Sequence, residues 1–256
     1  MNGRRRVLVL GGTGESRSLC AALARMPGIA AAASLAGATA TPARYDVPTR
    51  SGGFGGVEGL ARYLGDERID ALVDATHPFA GRIARNAAEA ARRMGVRHLK
   101  LLRPAWRPGP GERWREVPDF PSAALALPPG ARVFLATGPG SAPHFRDLAR
   151  TGFVLRVIDP QGGRGCPEAW TILTARPPFT VESERATFAA QRITHLVTRN
   201  AGGGEGRAKL DAAAALGLEV VMIARPATPP GIATVATVAE ALDWLRDTGP
   251  RGLNPA

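Results

Sequence analysis

A glycine-rich turn near the start of the chain has the residue types that bind phosphate groups. The apolar run Val7-Leu8-Val9-Leu10 ends at this turn, and Leu19, Leu23 and Met26 then recur at helical spacing. This order predicts a buried strand, a glycine turn and an amphipathic helix whose first N–H groups can hold a phosphate. We expect a dinucleotide site here, although a tight turn without a ligand has the same pattern. The residues expected to bind the cofactor are Gly11, Gly12, Thr13, Gly14, Glu15, Ser16, Arg17 and, after the second predicted strand, Gly37.

The turn matches the dinucleotide fingerprint G-x-G-x-x-G only in part, because Arg17 stands at the third glycine. The acidic residue expected about twenty positions later, which holds a ribose hydroxyl, is also missing. The first later acid is Asp46, while Arg17, Arg44 and Arg50 are available for a 2′-phosphate. The sequence therefore favours NADP(H) over NAD(H). It contains no Gly-Lys-Ser/Thr, which disfavours a Walker-type loop.

Thr76 and His77 follow the apolar segment that ends at Asp74 or Ala75. Pro78 suits the first turn of a helix, so these two residues are expected at the carboxyl end of a parallel strand. Functional groups collect at that edge in α/β sheets. We expect Thr76 and His77 to be catalytic. A loop histidine satisfied by backbone hydrogen bonds is the alternative.

Two later turns share features of the first. Thr137 and Gly138 open Thr-Gly-Pro-Gly after another apolar run, and we expect them to bind cofactor unless the segment is a plain turn. Residues 198–204 close a further predicted strand with three glycines, which allow a close approach of the backbone to a ligand. Flexibility alone is the alternative explanation for that glycine run.

The chain of 256 residues carries a formal net charge of +11, almost all of it from arginine, since only Lys100 and Lys209 are lysines. A GC-rich genome explains an excess of arginine, but an anionic ligand does so too, because the guanidinium binds carboxylate and phosphate bidentately. A nucleic acid is disfavoured, because aromatic residues make up only 5% and no basic stripe is interleaved with aromatic rings.

Other function classes lack their sequence signals. No apolar run reaches the roughly 18 residues that span a membrane, so we expect a cytoplasmic protein without a membrane partner. No Cys/His spacing predicts a metal site, and no Ser/His/Asp order predicts a triad. This scarcity of catalytic groups favours a reaction carried by a bound cofactor.

Strand-like runs alternate with helical patterns, which predicts an α/β fold with two Rossmann-like lobes, each a parallel sheet flanked by helices, and a ligand cleft between them. The predicted lobes are residues 1–103 and 130–256, joined by a linker or cleft loop at 104–129. The predicted strands are 6–10, 30–35, 71–75, 98–102, 132–136, 154–157, 171–173, 196–198 and 220–223. The predicted helices are 14–26, 57–64, 80–94, 142–150, 181–191, 206–216 and 238–246.

Several segments together resemble the precorrin-6A reductase family of cobalamin biosynthesis. These segments are residues 11–17, 34–37, 52–56, 74–80, 102–106, 179–182, 208–211 and 221–226. The chain departs from the family pattern at Pro139, where many members have arginine, and at Arg199, where lysine is common.

The resemblance implies an enzyme that uses NADPH to reduce one double bond of the polycarboxylate tetrapyrrole precorrin-6A, giving precorrin-6B. An arginine-rich site suits such a polyanion. The residues expected to bind the substrate are Arg82, Arg107, Arg199, Asn200, Gly202 and Lys209. We expect His77 or Thr76 to orient the macrocycle or to relay the accompanying proton.

Three alternatives stay open at this point. One is reduction of the cobalt-containing substrate with NADH, and another is a dinucleotide-sensing module without catalysis. The third is a nucleic-acid binder, which predicts steeply salt-dependent affinity. The sequence does not indicate an oligomeric state or the lobe that holds the nicotinamide.

Overall fold

Two α/β units make up the part of the chain that the computed structural model describes, namely residues 4–37, 44–148 and 151–247. The strands are β1 (Arg5–Leu10), β2 (Ile29–Leu35), β3 (Thr49–Ser51), β4 (Ala71–Asp74), β5 (Arg97–Leu101), β6 (Arg113–Val117), β7 (Arg132–Leu135), β8 (Gly152–Val157), β9 (Thr171–Thr174), β10 (His195–Arg199), β11 (Glu219–Ile223) and β12 (Ala233–Val235). The α-helices are α1 (Gly14–Leu23), α2 (Val57–Asp66), α3 (Gly81–Met94), α4 (Phe120–Leu125), α5 (Val181–Ala190), α6 (Ala208–Ala215) and α7 (Val238–Arg246). Two short 3-10 helices cover Pro139–His144 and Pro160–Gly163.

Each unit contains one six-stranded sheet, and the paired strands of both sheets are parallel. The first sheet has the order β12-β5-β4-β1-β2-β3, and the second has the order β6-β11-β10-β7-β8-β9. Read from the other edge, both follow the Rossmann order 3-2-1-4-5-6. The predicted fold class of two parallel, Rossmann-like units is therefore confirmed.

The sixth strand of each sheet is reached by a crossing of the chain from one unit to the other. After β5 the chain enters the second unit and forms β6, which pairs with β11. After β11 it returns to the first unit and forms β12, which pairs with β5. The first unit therefore consists of Met1–Arg103 and Pro226–Ala256, and the second is Pro104–Arg225.

This division differs from the predicted one of 1–103, 104–129 and 130–256. The segment 104–129 is not a linker, because it supplies β6 and α4 to the second unit. Residues 233–246 belong to the first unit, because β12 pairs with β5 and α7 packs against the core of that unit. The prediction was wrong because it assumed that each unit is continuous in sequence.

The predicted helix 142–150 is also wrong over its described residues, which end at 148. A 3-10 helix covers Pro139–His144 instead, and Pro143 lies inside it. The backbone bonds here span three residues, from the N–H of Phe145 to the Ala142 carbonyl and from the N–H of Leu148 to the Phe145 carbonyl, whereas an α-helix needs bonds that span four. Residues 149 and 150 lie outside the described residues.

Helices cover both faces of the first sheet, which explains the continuous apolar run that begins it. Val7 and Val9 pack with side chains of α1 and α7 in one core cluster. Leu8 and Leu10 pack with side chains of α2 and α3 in another. Successive side chains of a strand point to opposite faces, so a strand buried on both sides is apolar throughout. No helix in the described ranges is both long enough and apolar enough to cross a bilayer.

Candidate functional site

The carboxyl ends of β1 and β4 lie side by side where the strand order of the first sheet reverses. Ligands of open α/β sheets bind at such a reversal point. The Thr13 hydroxyl donates to the carbonyl oxygen of Ala75 at 2.9 Å, which joins the glycine turn after β1 to the end of β4. The structure thus brings the predicted cofactor turn together with the segment that carries Thr76 and His77.

Hydrogen bonds within the glycine turn fix the start of α1. Thr13 caps the helix by accepting the N–H of Ser16 at 3.1 Å, and Ser16 Oγ accepts the N–H groups of Gly12 and Thr13, each at 3.1 Å. Tyr45 adds a bond from another segment, since its hydroxyl lies 2.7 Å from Ser16 Oγ and accepts the Gly12 N–H at 3.0 Å. Ser16 is buried, and its hydroxyl therefore stabilises the backbone conformation of the turn.

Two glycines of the turn are required by geometry. A Cβ atom on Gly11 would lie 2.9 Å from Tyr45 Oη and 3.1 Å from Leu35 Cδ2. Gly12 has φ of 121°, which side chains rarely tolerate, and the space around its Cα is open. The backbone at Gly12 is accordingly exposed to an approaching ligand, as a turn that cradles a dinucleotide phosphate requires.

The first turn of α1 supplies donors for an anion. The N–H groups of Gly14 and Glu15 have no partner four residues earlier in the helix, and the helix dipole favours negative charge there. The Glu15 side chain accepts a hydrogen bond from Arg103 Nη1 at 2.7 Å, so this carboxylate is paired rather than opposed to a phosphate. Arg17 lies half-buried one residue beyond the capping box. These residues fit the pyrophosphate of a dinucleotide.

A buried ion pair lies under Thr76. Lys100 Nζ is 2.8 Å from Asp74 Oδ2, and these side chains are only 6% and 1% exposed. The other carboxylate oxygen, Asp74 Oδ1, accepts the Thr76 hydroxyl at 2.6 Å and the Thr76 N–H at 3.0 Å. Thr76 also lines a small cavity at this edge of the sheet. The other residues that line it are Thr13, Glu15, Pro78, Leu101, Leu102 and Arg103.

The ring of His77 is oriented by the turn that follows it. His77 Nδ1 accepts the N–H of Phe79 at 3.2 Å, and the His77 carbonyl accepts the N–H of Ala80 at 2.8 Å. In the neutral ring the proton is therefore on Nε2. The helix α3 begins at Gly81, and the predicted substrate residue Arg82 is exposed in its first turn.

An arginine is held at the end of β2, where a Rossmann fold binds the adenosine ribose. Arg50 Nη1 donates to Ser34 Oγ at 2.7 Å and to the carbonyl of Gly52 at 2.9 Å. Its guanidinium carbon is 4.0 Å from the centre of the Phe54 ring. Gly37 follows β2, is exposed and has φ of 75°.

The second unit has a corresponding reversal point between β7 and β10. Asn200, predicted to bind substrate, is 5% exposed and pairs with the backbone of Trp106 in both directions. Its Oδ1 accepts the Trp106 N–H at 2.8 Å, and its Nδ2 donates to the Trp106 carbonyl at 3.0 Å. The amide of Asn200 is therefore engaged in holding the segment that precedes β6.

Gly202 is needed for a close approach of two backbone segments. It has φ of 67°, and a Cβ atom there would lie 2.1 Å from the carbonyl oxygen of Pro104 and 2.2 Å from Arg225 Nη2. That nitrogen donates to the carbonyl oxygens of Pro104 at 3.1 Å and Ala201 at 3.0 Å. The sequence analysis predicted a close approach of this backbone to a ligand, whereas the close approach that the structure shows is to the Pro104 segment of the protein.

The other predicted substrate residues of the second unit come from three segments: Lys209 from α6, Arg199 from the end of β10, and Arg107 from the residues before β6. Lys209 Nζ donates to the Gly206 carbonyl at 2.7 Å and lies 4.9 Å from the centre of the Trp106 ring. Burial lowers the pKa of Arg199 from its ordinary value, whereas Arg107 is exposed.

In the Thr-Gly turn after β7, hydroxyl groups form hydrogen bonds within the turn. Thr137 Oγ1 and Ser141 Oγ are 2.6 Å apart, and Ser141 Oγ donates to the Gly138 carbonyl at 2.7 Å. Thr137 is 4% exposed. Among the residues that the structure describes, no group of three His, Cys, Asp or Glu side chains is placed to hold a metal ion.

Known proteins match this chain over nearly its whole length. The family model described as precorrin-6x reductase CbiJ/CobK matches residues 6–246. This chain belongs to the precorrin-6x reductase family. A precorrin-6A reductase of Rhodococcus erythropolis is 49% identical over 241 residues, which are 94% of this chain and 97% of that protein. One from Rhodobacter capsulatus is 43% identical over 97% of this chain and 99% of its own length.

A solved member of the precorrin-6x reductase family has the same fold. The structure titled CobK precorrin-6A reductase superposes with a TM-score of 0.88 and is 41% identical, covering 97% of this chain and all of that one. The resemblance found from the sequence motifs is thereby confirmed. It covers both units, including the crossings of the chain between them.

The sequence analysis missed two side chains of the site. Tyr45 comes from a segment without helical or strand periodicity, and no spacing relates it to Ser16. Lys100 lies in β5 and meets Asp74 as its cross-strand partner. One signal was available for Lys100, since a lysine inside a strand is conspicuous in a chain with only two lysines.

Proposed function

We propose that this protein reduces one carbon–carbon double bond of precorrin-6A, with NADPH as the hydride donor, and gives precorrin-6B. Two observations support the proposal together: membership of the precorrin-6x reductase family over residues 6–246, and a glycine turn at the reversal point of a Rossmann sheet. One hydride from the cofactor and one proton add across the double bond. The nicotinamide supplies the hydride, and the protein supplies alignment and proton control.

The first unit holds the cofactor in this proposal. The pyrophosphate binds at the first turn of α1, where Gly14 and Glu15 offer N–H groups and the backbone at Gly12 is open. The 2′-phosphate binds beside Arg50 at the end of β2. Ser34 and Phe54 already hold that guanidinium, so little rotamer entropy is lost on binding.

Arginine side chains bind the carboxylates of the substrate. Arg82 and Arg107 are exposed cations, and Arg199 is a half-buried one whose pKa is lowered by desolvation. A desolvated cation regains favourable energy when a carboxylate approaches it. Asn200 and Gly202 act indirectly, because Asn200 binds the backbone of Trp106 and Gly202 lets the Pro104 segment lie close to the residues after β10.

We assign to His77 the transfer of the proton that accompanies the hydride. Its Nδ1 accepts a backbone N–H, so Nε2 carries the exchangeable proton. Thr76 stands beside it at the end of β4 and faces the cavity at this edge.

The decisive experiment is an assay of the purified protein with metal-free and cobalt-loaded precorrin-6A, each with NADPH and with NADH. The proposal expects consumption of NADPH and a product two mass units heavier from the metal-free substrate. Turnover of only the cobalt substrate would redirect the assignment to the cobalt form. Dinucleotide binding without turnover would indicate a sensing module, and copurifying nucleic acid with salt-dependent affinity would indicate a nucleic-acid binder.

The cofactor preference has its own test. Arg50→Leu is expected to weaken NADPH binding about 10-fold to 100-fold, the effect of one lost hydrogen bond to a charged group, and to leave NADH binding unchanged. Arg62→Leu, an exposed arginine of α2, is the matched control. If Arg50→Leu lowered the affinity for NADPH and NADH equally, this arginine would stabilise the loop at Gly52 and would not bind the 2′-phosphate.

A further inference from the structure

The hydroxyl of Thr76 has its hydrogen committed to one partner. A carboxylate only accepts hydrogen bonds, and an ammonium group only donates them. Asp74 Oδ1 lies 2.6 Å from Thr76 Oγ1, whereas Lys100 Nζ lies 3.4 Å from the same hydroxyl oxygen. The hydroxyl hydrogen therefore points to Asp74. The oxygen can only accept a further hydrogen bond, so a ligand in the adjacent cavity meets Thr76 as an acceptor.

The buried ion pair of Asp74 and Lys100, which sets the direction of this hydroxyl, carries a large desolvation cost. Asp74 and Lys100 are 1% and 5% exposed, and removing two charges from water costs several kcal/mol per ion before their attraction compensates. Asp74 and Lys100 are cross-strand partners at the carboxyl edge of β4 and β5. A pair that served stability alone could be replaced by apolar side chains, so its place beside the site calls for another role.

Composition adds an independent argument about the cation. The chain has 33 lysines and arginines in total, of which only Lys100 and Lys209 are lysines. At position 100 the ammonium group sits between a carboxylate and a hydroxyl at nearly zero exposure. A planar guanidinium with five donors would leave some of them unpaired there, so a compact cation suits this place.

The position of Thr76 indicates which ligand group it meets. A Rossmann sheet binds a dinucleotide across its reversal point, one mononucleotide on each half. The glycine turn and Arg50 occupy the half formed by β1, β2 and β3, which leaves the nicotinamide mononucleotide for the half formed by β4, β5 and β12. On that mononucleotide, the carboxamide is the group with N–H donors close to the reacting carbon.

We propose that Thr76 accepts a hydrogen bond from the carboxamide N–H of the nicotinamide, and that Asp74 and Lys100 are positioning residues that keep its hydroxyl turned for this purpose. The inference rests on the proposed function, because it requires a nicotinamide cofactor in the first unit. Thr76 then fixes the rotation of the nicotinamide ring, and with it the face that the hydride leaves. The reaction's proton does not come from Thr76 while Asp74 is ionised.

The test compares two nucleotides that differ only in the donor. NADP⁺ carries the carboxamide, and its 3-acetylpyridine analogue carries a methyl ketone without N–H groups. Calorimetry on the full chain is expected to show that NADP⁺ binds about 3-fold to 10-fold more tightly than the analogue, the effect of one neutral hydrogen bond. Thr76→Val should bring this ratio close to one, and Thr76→Ser, which retains a hydroxyl, should preserve it.

The adenosine half provides the internal control. Binding of 2′,5′-ADP, which lacks the nicotinamide half, should be the same in the wild type and in every variant. If Thr76→Val leaves the NADP⁺-to-analogue ratio unchanged, the inference is wrong while the proposed function stands. If that variant instead weakens tetrapyrrole binding, the donor is a substrate pyrrole N–H and the carboxamide assignment is overturned. If the wild type binds neither nucleotide, the proposed function itself fails.

The positioning role predicts a further result. Lys100→Met and Asp74→Asn remove the charge pattern that orients the hydroxyl, so both should lower the NADP⁺-to-analogue ratio while 2′,5′-ADP still binds. A purely structural ion pair would lower the affinity for all three nucleotides together or for none. An unchanged ratio in both variants would overturn the role of the pair.

Discussion

Gly202→Ala is expected to be among the most damaging single substitutions in the second unit. Two costs add at this position. The left-handed backbone, with φ of 67°, penalises a side chain by about 1–2 kcal/mol. The new Cβ would also lie 2.1 Å from the Pro104 carbonyl oxygen, a backbone atom that cannot rotate away, and relief of such overpacking costs about 1–3 kcal/mol. The expected loss in the free energy of unfolding is therefore about 2–5 kcal/mol.

Two other glycines of the same unit separate these costs. Gly130 has φ of 82° and open space around it, so Gly130→Ala carries only the backbone penalty. Gly204 has open space and no such positive φ, so Gly204→Ala should change stability by less than about 1 kcal/mol. The order of damage should be Gly202→Ala, then Gly130→Ala, then Gly204→Ala.

The assay is urea unfolding followed by tryptophan fluorescence. Three of the four tryptophans lie in the second unit, so the fluorescence transition reports mainly on that unit. Equal losses for Gly202→Ala and Gly130→Ala would refute the reasoning, because they would show that the Pro104 segment moves aside without cost.

Further predictions concern the first unit. Lys100→Met leaves a carboxylate that is 1% exposed without its cation and should cost about 3–5 kcal/mol in urea unfolding, whereas Arg246→Met, which breaks an exposed pair, should cost less than about 1 kcal/mol. Burial lowers the pKa of His98 from 6.5 to about 4, so the unfolded chain takes up this proton first as the pH falls. Stability should therefore fall by about 3 kcal/mol from pH 6.5 to pH 4, and His98→Leu should remove that part of the slope in unfolding measured across this range. Thr13→Ala removes a helix cap and the bond to β4 and should lower the melting temperature more than Thr180→Ala, which removes only a cap.

The strands that could be predicted from the sequence are mostly those with both faces buried. Central strands such as β1 and β4 have continuous apolar runs because helices cover both sides. The three strands that were missed, β3, β6 and β12, all lie at sheet edges. The residues of β6 read Arg-Trp-Arg-Glu-Val, with a single fully buried position. Edge strands carry charged side chains, which removes the periodic signal on which prediction depends.

The site was predictable where its residues are consecutive in sequence. The turn at 11–17 and the pair Thr76 and His77 follow apolar runs directly, so the carboxyl-edge rule placed them. Tyr45 and Lys100 reach the same edge from other elements. The contact of Lys100 depends on the pairing of β4 with β5, and that of Tyr45 depends on where the residues before β3 lie. Sequence spacing encodes neither.

The sixth strand of each sheet comes from a separate stretch of the chain, β6 or β12. For this reason the division of the chain into two units could not be predicted from the order of elements alone. Without its sixth strand, the first sheet would end at β5 and the second at β11, and either edge can accept one more parallel strand. The strand that follows β5 in sequence is β6, yet it pairs with β11, and the strand that follows β11 pairs with β5. The helix that follows β12 contributes to the core of the first unit as well, since Ala241 and Leu245 of α7 are buried in one cluster with Val7 and Leu19. The core of the first unit therefore depends on residues from before and after the second unit, which is inserted between them in the sequence.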